Sequence, residues 1–174
     1  MNVHPSSHND QLLRQTRVHH VQLSAMADNK ANILITTASL VITFTLPRLG
    51  DGSAGWPQMA LVAGCVATII LAAWAVMPKI RPPRIGEVAS VDDPKANLLF
   101  FGDFAGMSWA DYEPAMETIL NDPNRAYQAK VKEIFLLGQY LAHRKYRYLR
   151  LAYFSFLASI ITGGFGMIVQ RIWQ

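Results

Sequence analysis

Three stretches of this 174-residue chain contain no Asp, Glu, Lys or Arg: Ile33–Leu46, Met59–Met77 and Leu151–Val169. An α-helix rises about 1.5 Å per residue, so about 20 such residues cross the roughly 30 Å hydrocarbon core of a bilayer. The second and third stretches reach that length. The first sits near the lower limit even with Ala31 and Asn32 added, and suits a thinned bilayer. A soluble helical protein with three such helices inside it needs more polar cover than remains here. Charged residues make up 16% of the chain, against about 25% in an average soluble protein. The first stretch reads poorly as a signal peptide, because a long polar-rich segment precedes it and no small-x-small cleavage site follows Leu46-Pro47-Arg48. The reading is therefore an all-α membrane protein with three transmembrane helices.

Orientation follows from the basic residues. Arg14, Arg17 and Lys30 precede the first span, whereas the loop after it has only Arg48, offset by Asp51. Eleven Lys and Arg lie between Lys79 and Arg150, and only Arg171 follows the third span. Lys and Arg collect on the cytosolic side. The expected organisation is a cytosolic N-terminal helix over 1–30, a first span over 31–46 and a periplasmic loop over 47–56. A second span follows over 57–77, then a cytosolic helical region over 78–149, a third span over 150–170 and a periplasmic tail over 171–174. The expected location is the bacterial inner membrane, with the N-terminus in the cytosol. The net charge of +4 then reflects topology and anionic lipid contact, and no nucleic acid is expected as partner.

Residues 1–8 are polar and expected to be disordered. No Gly or Pro occurs from Asn9 to Leu46, so one helix can run from the cytosol through the membrane. Pro47, Gly50, Gly52 and Gly55 predict a tight outside turn, with Trp56 at interface depth. Pro78 ends the second span, and 79–97 reads as an irregular crossing segment. The apolar run Asn97-Leu98-Leu99-Phe100-Phe101-Gly102 must pack on something. Ser108 and Asp111 resemble a capping box that opens a helix to about Asn121, and Asp122-Pro123 starts another. With Gly138 as its one early glycine, that last helix can continue into the third span. Residues 9–30 and 123–149 would extend about 33 Å and 40 Å as helices. Similar in length and parallel in direction, they are expected to pair as a stalk, capped by the short helix and the Phe100-Phe101 segment. In the spans, Ala60, Gly64, Thr68 and Ala72, and Ser155, Ser159 and Gly163, recur at fourth positions, as close helix approach requires. The hydroxyls of the first span (Thr36, Thr37, Ser39, Thr43, Thr45) either serve such packing or line a polar path in an oligomer.

No phosphate loop, nucleophile elbow or zinc-protease motif is present, and no enzyme or cofactor is expected. Cys65, the single cysteine, lies in the second span and excludes an internal disulfide and a cysteine-based metal site. His4 and His8 have four-residue spacing but no carboxylate partner. Arg14, Arg17, His19 and His20 form a basic patch on one helix. Either it is a solvated surface, or it is an anion site completed by Lys145 and Arg147, or by Lys130 and Lys132. Asp28 and Lys30 stand at the mouth of the first span, where charge needs partners or a path to water. They read as interfacial anchors or as a polar hinge coupling the stalk to the span. Two residues apart, they point to different faces and do not pair. Asp28 is expected to reach Lys145 or Arg147.

The stretch Thr16-Arg17…His20…Leu23-Ser24-Ala25-Met26-Ala27-Asp28-Asn29-Lys30-Ala31-Asn32-Ile33-Leu34 resembles the N-terminal signature of the transmembrane effectors of Pycsar, a bacterial anti-phage system. Asn97–Gly102, Asp122-Pro123…Tyr127 and Lys145–Arg150 resemble later blocks of that family, and the similarity covers roughly residues 12–160. It implies an effector activated by cyclic CMP or cyclic UMP from a pyrimidine cyclase encoded nearby. Such an effector impairs the inner membrane, and the infected cell dies before the phage matures. A homo-oligomer acting on the lipid bilayer is expected. Candidate ligand residues are Arg14, Arg17, His20, Lys145 and Arg147 for the phosphate, and Phe101, Tyr127 and Tyr140 for stacking on the pyrimidine. The rival from another class is a small membrane adaptor whose stalk binds a protein partner. A transporter subunit is disfavoured, since three spans show no repeat and no interior charge.

Overall fold

The computed structural model describes residues 6–50, 52, 54–78 and 97–173. Among them there is no strand. The helices are α1 (Ser7–Gly50), α2 (Trp56–Val76), α3 (Phe101–Phe104), α4 (Trp109–Leu120), α5 (Pro123–Tyr140) and α6 (Tyr146–Ile172), with a π-helical turn at Leu141–Lys145 between the last two. The irregular crossing expected over 79–97 lies outside the described residues except for Asn97, and so does His4. The chain packs as two units, the described parts of Met1–Gln22 with Pro78–Tyr140, and Leu23–Met77 with Leu141–Gln174.

The second unit contains the C-terminal part of α1 with α2 and α6. Among the described residues, three helices are long and apolar enough to cross a membrane: α1, α2 and the run Pro123–Ile172. α1 extends past Leu46, through Pro47 to Gly50. A proline in the last turn removes one backbone N–H bond only, so the helix carries on for a turn beyond the charge-free run, with Arg48 in that turn. The turn between α1 and α2 is correspondingly shorter than expected. Gly52 takes φ +68° there, a left-handed conformation that lacks steric cost only in glycine. α2 opens on Gly55, whose N–H is accepted by the Gln58 side chain at 3.0 Å, and stops before Pro78.

Small residues recur on the facing sides. Ala27, Ala31 and Leu34 pack with Ala72, Ala75, Leu149 and Ala152, and Ala38 packs with Leu61 and Cys65. A methyl added at Gly64 would run into Ser159, and one added at Gly163 would stand 2.8 Å from the Leu61 Cβ. Ser155 Oγ also donates to the Gly64 carbonyl at 3.2 Å. Lipid supplies no hydrophobic drive between helices, so contact this close has to carry the packing. The stripes seen in the sequence thus serve packing within the chain. The outer sides of α2 (Met59, Val66, Ile70, Trp74) and α6 (Phe154, Leu157, Ile161, Phe165) are apolar, as contact with hydrocarbon requires.

The first unit pairs the N-terminal part of α1 with α5. Lys130 meets Asp10 at 3.2 Å, Arg17 meets Glu133 at 2.9 Å, and the His20 ring lies against Gly138. These contacts advance together along both helices, so the two run parallel, as the stalk reading requires. Ser108 caps α4 by accepting from the Asp111 N–H at 3.2 Å, and its hydroxyl donates to the Asp111 carboxylate at 2.6 Å. Asp122 caps α5 through the Asn124 N–H at 2.9 Å. The apolar segment before α3 finds its packing on α4. Leu98 is buried, its carbonyl accepts from the Tyr112 hydroxyl at 3.5 Å, and the Phe104 and Tyr112 rings lie 5.0 Å apart.

Candidate functional site

The most constrained polar cluster is in the second unit. An α-helix continued from α5 would keep its 3.6-residue register. The π turn at Leu141–Lys145 inserts extra backbone and rotates the helix beyond it, a distortion that recurs at functional sites. It buries Leu141, Lys145 and Leu149 along one line. Lys145 Nζ donates to Ser24 Oγ at 2.7 Å and to Asp28 Oδ2 at 2.7 Å. The same ammonium is 2.7 Å from Oδ1, which takes no hydrogen bond of its own. Beside it the Tyr146 hydroxyl donates to the Leu23 carbonyl at 3.1 Å. The Lys145 side chain is 7% exposed and that of Asp28 43%. The cation is therefore enclosed while its counter-ion touches the surroundings, so the pair can be opened from the Asp28 side.

The site residue missed in the sequence is Ser24. It stands one turn before Asp28 on the same face of α1, a four-residue spacing that was available to be read. The π turn had no such signal, for no Pro or Gly lies within it. Lys30 is exposed and makes no ion pair among the described residues. Asp28 and Lys30 therefore differ: one is half of an enclosed ion pair, the other a surface cation.

The eight candidate ligand residues divide between the units. Arg14, Arg17, His20, Phe101, Tyr127 and Tyr140 belong to the first, Lys145 and Arg147 to the second. Arg14 is exposed and lines a shallow open depression with Gln11, Gln15, Val18, His19 and Gln22, all on one side of α1. Arg17 is held by Glu133. His20 is half-buried, and its Nδ1 is enclosed without a hydrogen-bond partner. Tyr127 is buried, with Lys130 Nζ 5.6 Å from its ring centre and its hydroxyl accepting from the Ser6 N–H at 3.4 Å. Phe101 is exposed and packs on Phe100 at 4.9 Å between ring centres. Tyr140 is half-buried and Arg147 exposed. Within the first unit, Arg14 and Phe101 are thus the candidates whose charge or ring face is open, and Lys145 already has its anion. No group of three His, Cys, Asp or Glu is placed to hold a metal among the described residues.

Three spanning helices, a parallel helical pair and an enclosed ion pair define an all-α membrane protein. The family model described as the Pycsar effector protein domain matches residues 11–170. The chain belongs to the Pycsar effector family and is an anti-phage defence effector. No curated protein and no solved structure matches it significantly.

Proposed function

We propose that the first unit binds cyclic CMP or cyclic UMP and that binding makes the spanning helices breach the inner membrane, killing the infected cell. The observation that carries this reading is α1, one uninterrupted helix that supplies both the basic face of the first unit and a spanning segment of the second. Family membership supports the signalling chemistry, with a pyrimidine cyclase encoded nearby as the source of ligand. Arg14 is the leading phosphate donor, since its guanidinium is open. Arg17 joins it by exchanging Glu133 for the phosphate, and His20 completes the candidate set within the first unit. Hydrogen bonds to a charged group contribute about 1.5–3 kcal/mol each, and stacking a base on an aromatic ring about 1–3 kcal/mol. Phe101 offers a ring now; Tyr127 and Tyr140 would have to uncover theirs.

Titration calorimetry on the purified protein tests the ligand class. Saturable heat is expected with cyclic CMP or cyclic UMP, weakened at least tenfold in Arg14→Ala. Silence with both, together with binding of a cyclic dinucleotide, would assign the protein to another signalling system.

The orientation proposed is N-terminus and residues 78–149 in the cytosol, resting on the basic-residue asymmetry. A reporter fused after Gln174 is expected to be periplasmic and one inserted at Asp92 cytosolic. Both on one side would remove the three-span arrangement.

A further inference from the structure

The outer side of α1 differs from those of α2 and α6. Asn29, Asn32, Thr36, Ser39 and Thr43 are all exposed there, at spacings of three and four that put them on one stripe. The threonines satisfy their own hydroxyls: Thr36 donates to the Asn32 carbonyl at 2.9 Å and Thr43 to the Ser39 carbonyl at 2.9 Å. The side chains of Asn29, Asn32 and Ser39 have no such partner among the described residues. If the Asp28–Lys145 ion pair marks the edge of the hydrocarbon, Asn32 lies about 6 Å and Ser39 about 16 Å farther along the helix. Ser39 is then near the middle of the bilayer. Lipid offers these groups neither donors nor acceptors, so a protein or water must.

We propose that this stripe is the interface through which α1 meets α1 of a second copy within the membrane. Copies in one membrane share an orientation, so their α1 helices meet in parallel. In a parallel symmetric pair each seam residue faces its own counterpart. That suits asparagine, whose amide both donates and accepts and so pairs with itself. No charge lies on the stripe to make copies repel. The seven-residue period of Asn29, Thr36 and Thr43 is the one two wound helices need. The apolar outer sides of α2 and α6 are left to lipid. The inference deepens the membrane-breaching reading by naming the contact on which assembly depends, and it requires only that α1 spans the membrane.

Cysteine cross-linking in native membranes tests it, with buried Cys65 first replaced by Cys65→Ala. Asn32→Cys and Ser39→Cys are placed on the stripe, Ile70→Cys and Ile161→Cys on the outer sides of α2 and α6. All four positions are exposed, so none of these changes disturbs the core. With copper-phenanthroline as oxidant, with and without added cyclic CMP and cyclic UMP, the stripe variants are expected to form covalent dimers. Their yield should exceed that of the two controls at least tenfold in one of these conditions. Equal yields at all four positions, no dimer in any condition, or stripe cysteines joined only to chains of another mass would overturn the proposal. Dimers at the stripe in a protein that ignores both nucleotides would sustain the interface and count against the ligand alone.

Discussion

Asp28→Ala and Lys145→Met are each expected to yield a protein that inserts and binds nucleotide, yet kills at least a hundredfold less efficiently than the parent. Their stabilities should differ, which separates coupling from folding. Removing Asp28 strands an ammonium that is 7% exposed, with Ser24 as its remaining hydrogen-bond acceptor in the cluster. Stripping one partner from a fully buried pair costs about 3–5 kcal/mol. The Asp28 side chain is 43% exposed, so screening reduces this to roughly 1–3 kcal/mol. Lys145→Met removes the enclosed charge and keeps an unbranched apolar stem, and the Asp28 side chain it leaves is 43% exposed and can turn to solvent, so the cost in stability is small. Loss of killing in both variants, with loss of stability only in Asp28→Ala, would assign the ion pair to the switch. Lys30→Ala is expected to insert, bind and keep the parent's stability, because an exposed lysine contributes little to folding, yet to lose killing if Lys30 shares the coupling role. If Asp28→Ala and Lys145→Met insert, bind and kill like the parent, the pair is an interfacial anchor and the hinge idea fails.

Under the proposed nucleotide control, several sites are expected to act together. Shifting a resting equilibrium from 1:99 to 99:1 takes about 5.5 kcal/mol of differential affinity. A single mononucleotide, with one phosphate and one small ring, supplies only part of that difference. Several sites acting through an oligomer would supply the rest, with ion pairs such as Asp28–Lys145 setting the resting balance.

Much of this architecture was legible in the sequence because charge-free runs and helix punctuation are strong local signals. The absence of Gly and Pro from Asn9 to Leu46 marks a single long helix, and Asp122-Pro123 marks the start of α5 where it occurs. The end of α1 was less legible: Pro47 reads as a breaker, yet in a final turn it is tolerated. The parallel pairing in the first unit follows from helix lengths, whereas the partner of Arg17 depends on which face of α5 turns inward and puts Glu133 there. Matching depth brought the partner of Asp28 down to Lys145 or Arg147, and the structure gives Lys145. The π turn that delivers Lys145 was not legible, since no Pro or Gly marks it. The nucleotide residues were the least legible, because a basic patch and scattered aromatic rings describe a surface as readily as a site.

Dye release from anionic phospholipid vesicles containing the purified protein measures nucleotide control of membrane integrity directly. Each component is known and no other protein is present, so any permeability change belongs to this chain. The resting vesicles are expected to stay sealed. Micromolar cyclic CMP or cyclic UMP should release most of the dye, with a dose response steeper than a single independent site allows. Cyclic AMP and cyclic dinucleotides should release none, and vesicles carrying Lys145→Met should stay sealed with every nucleotide. Leakage that proceeds equally without nucleotide, or vesicles that remain tight under both cyclic pyrimidine nucleotides, would contradict the account.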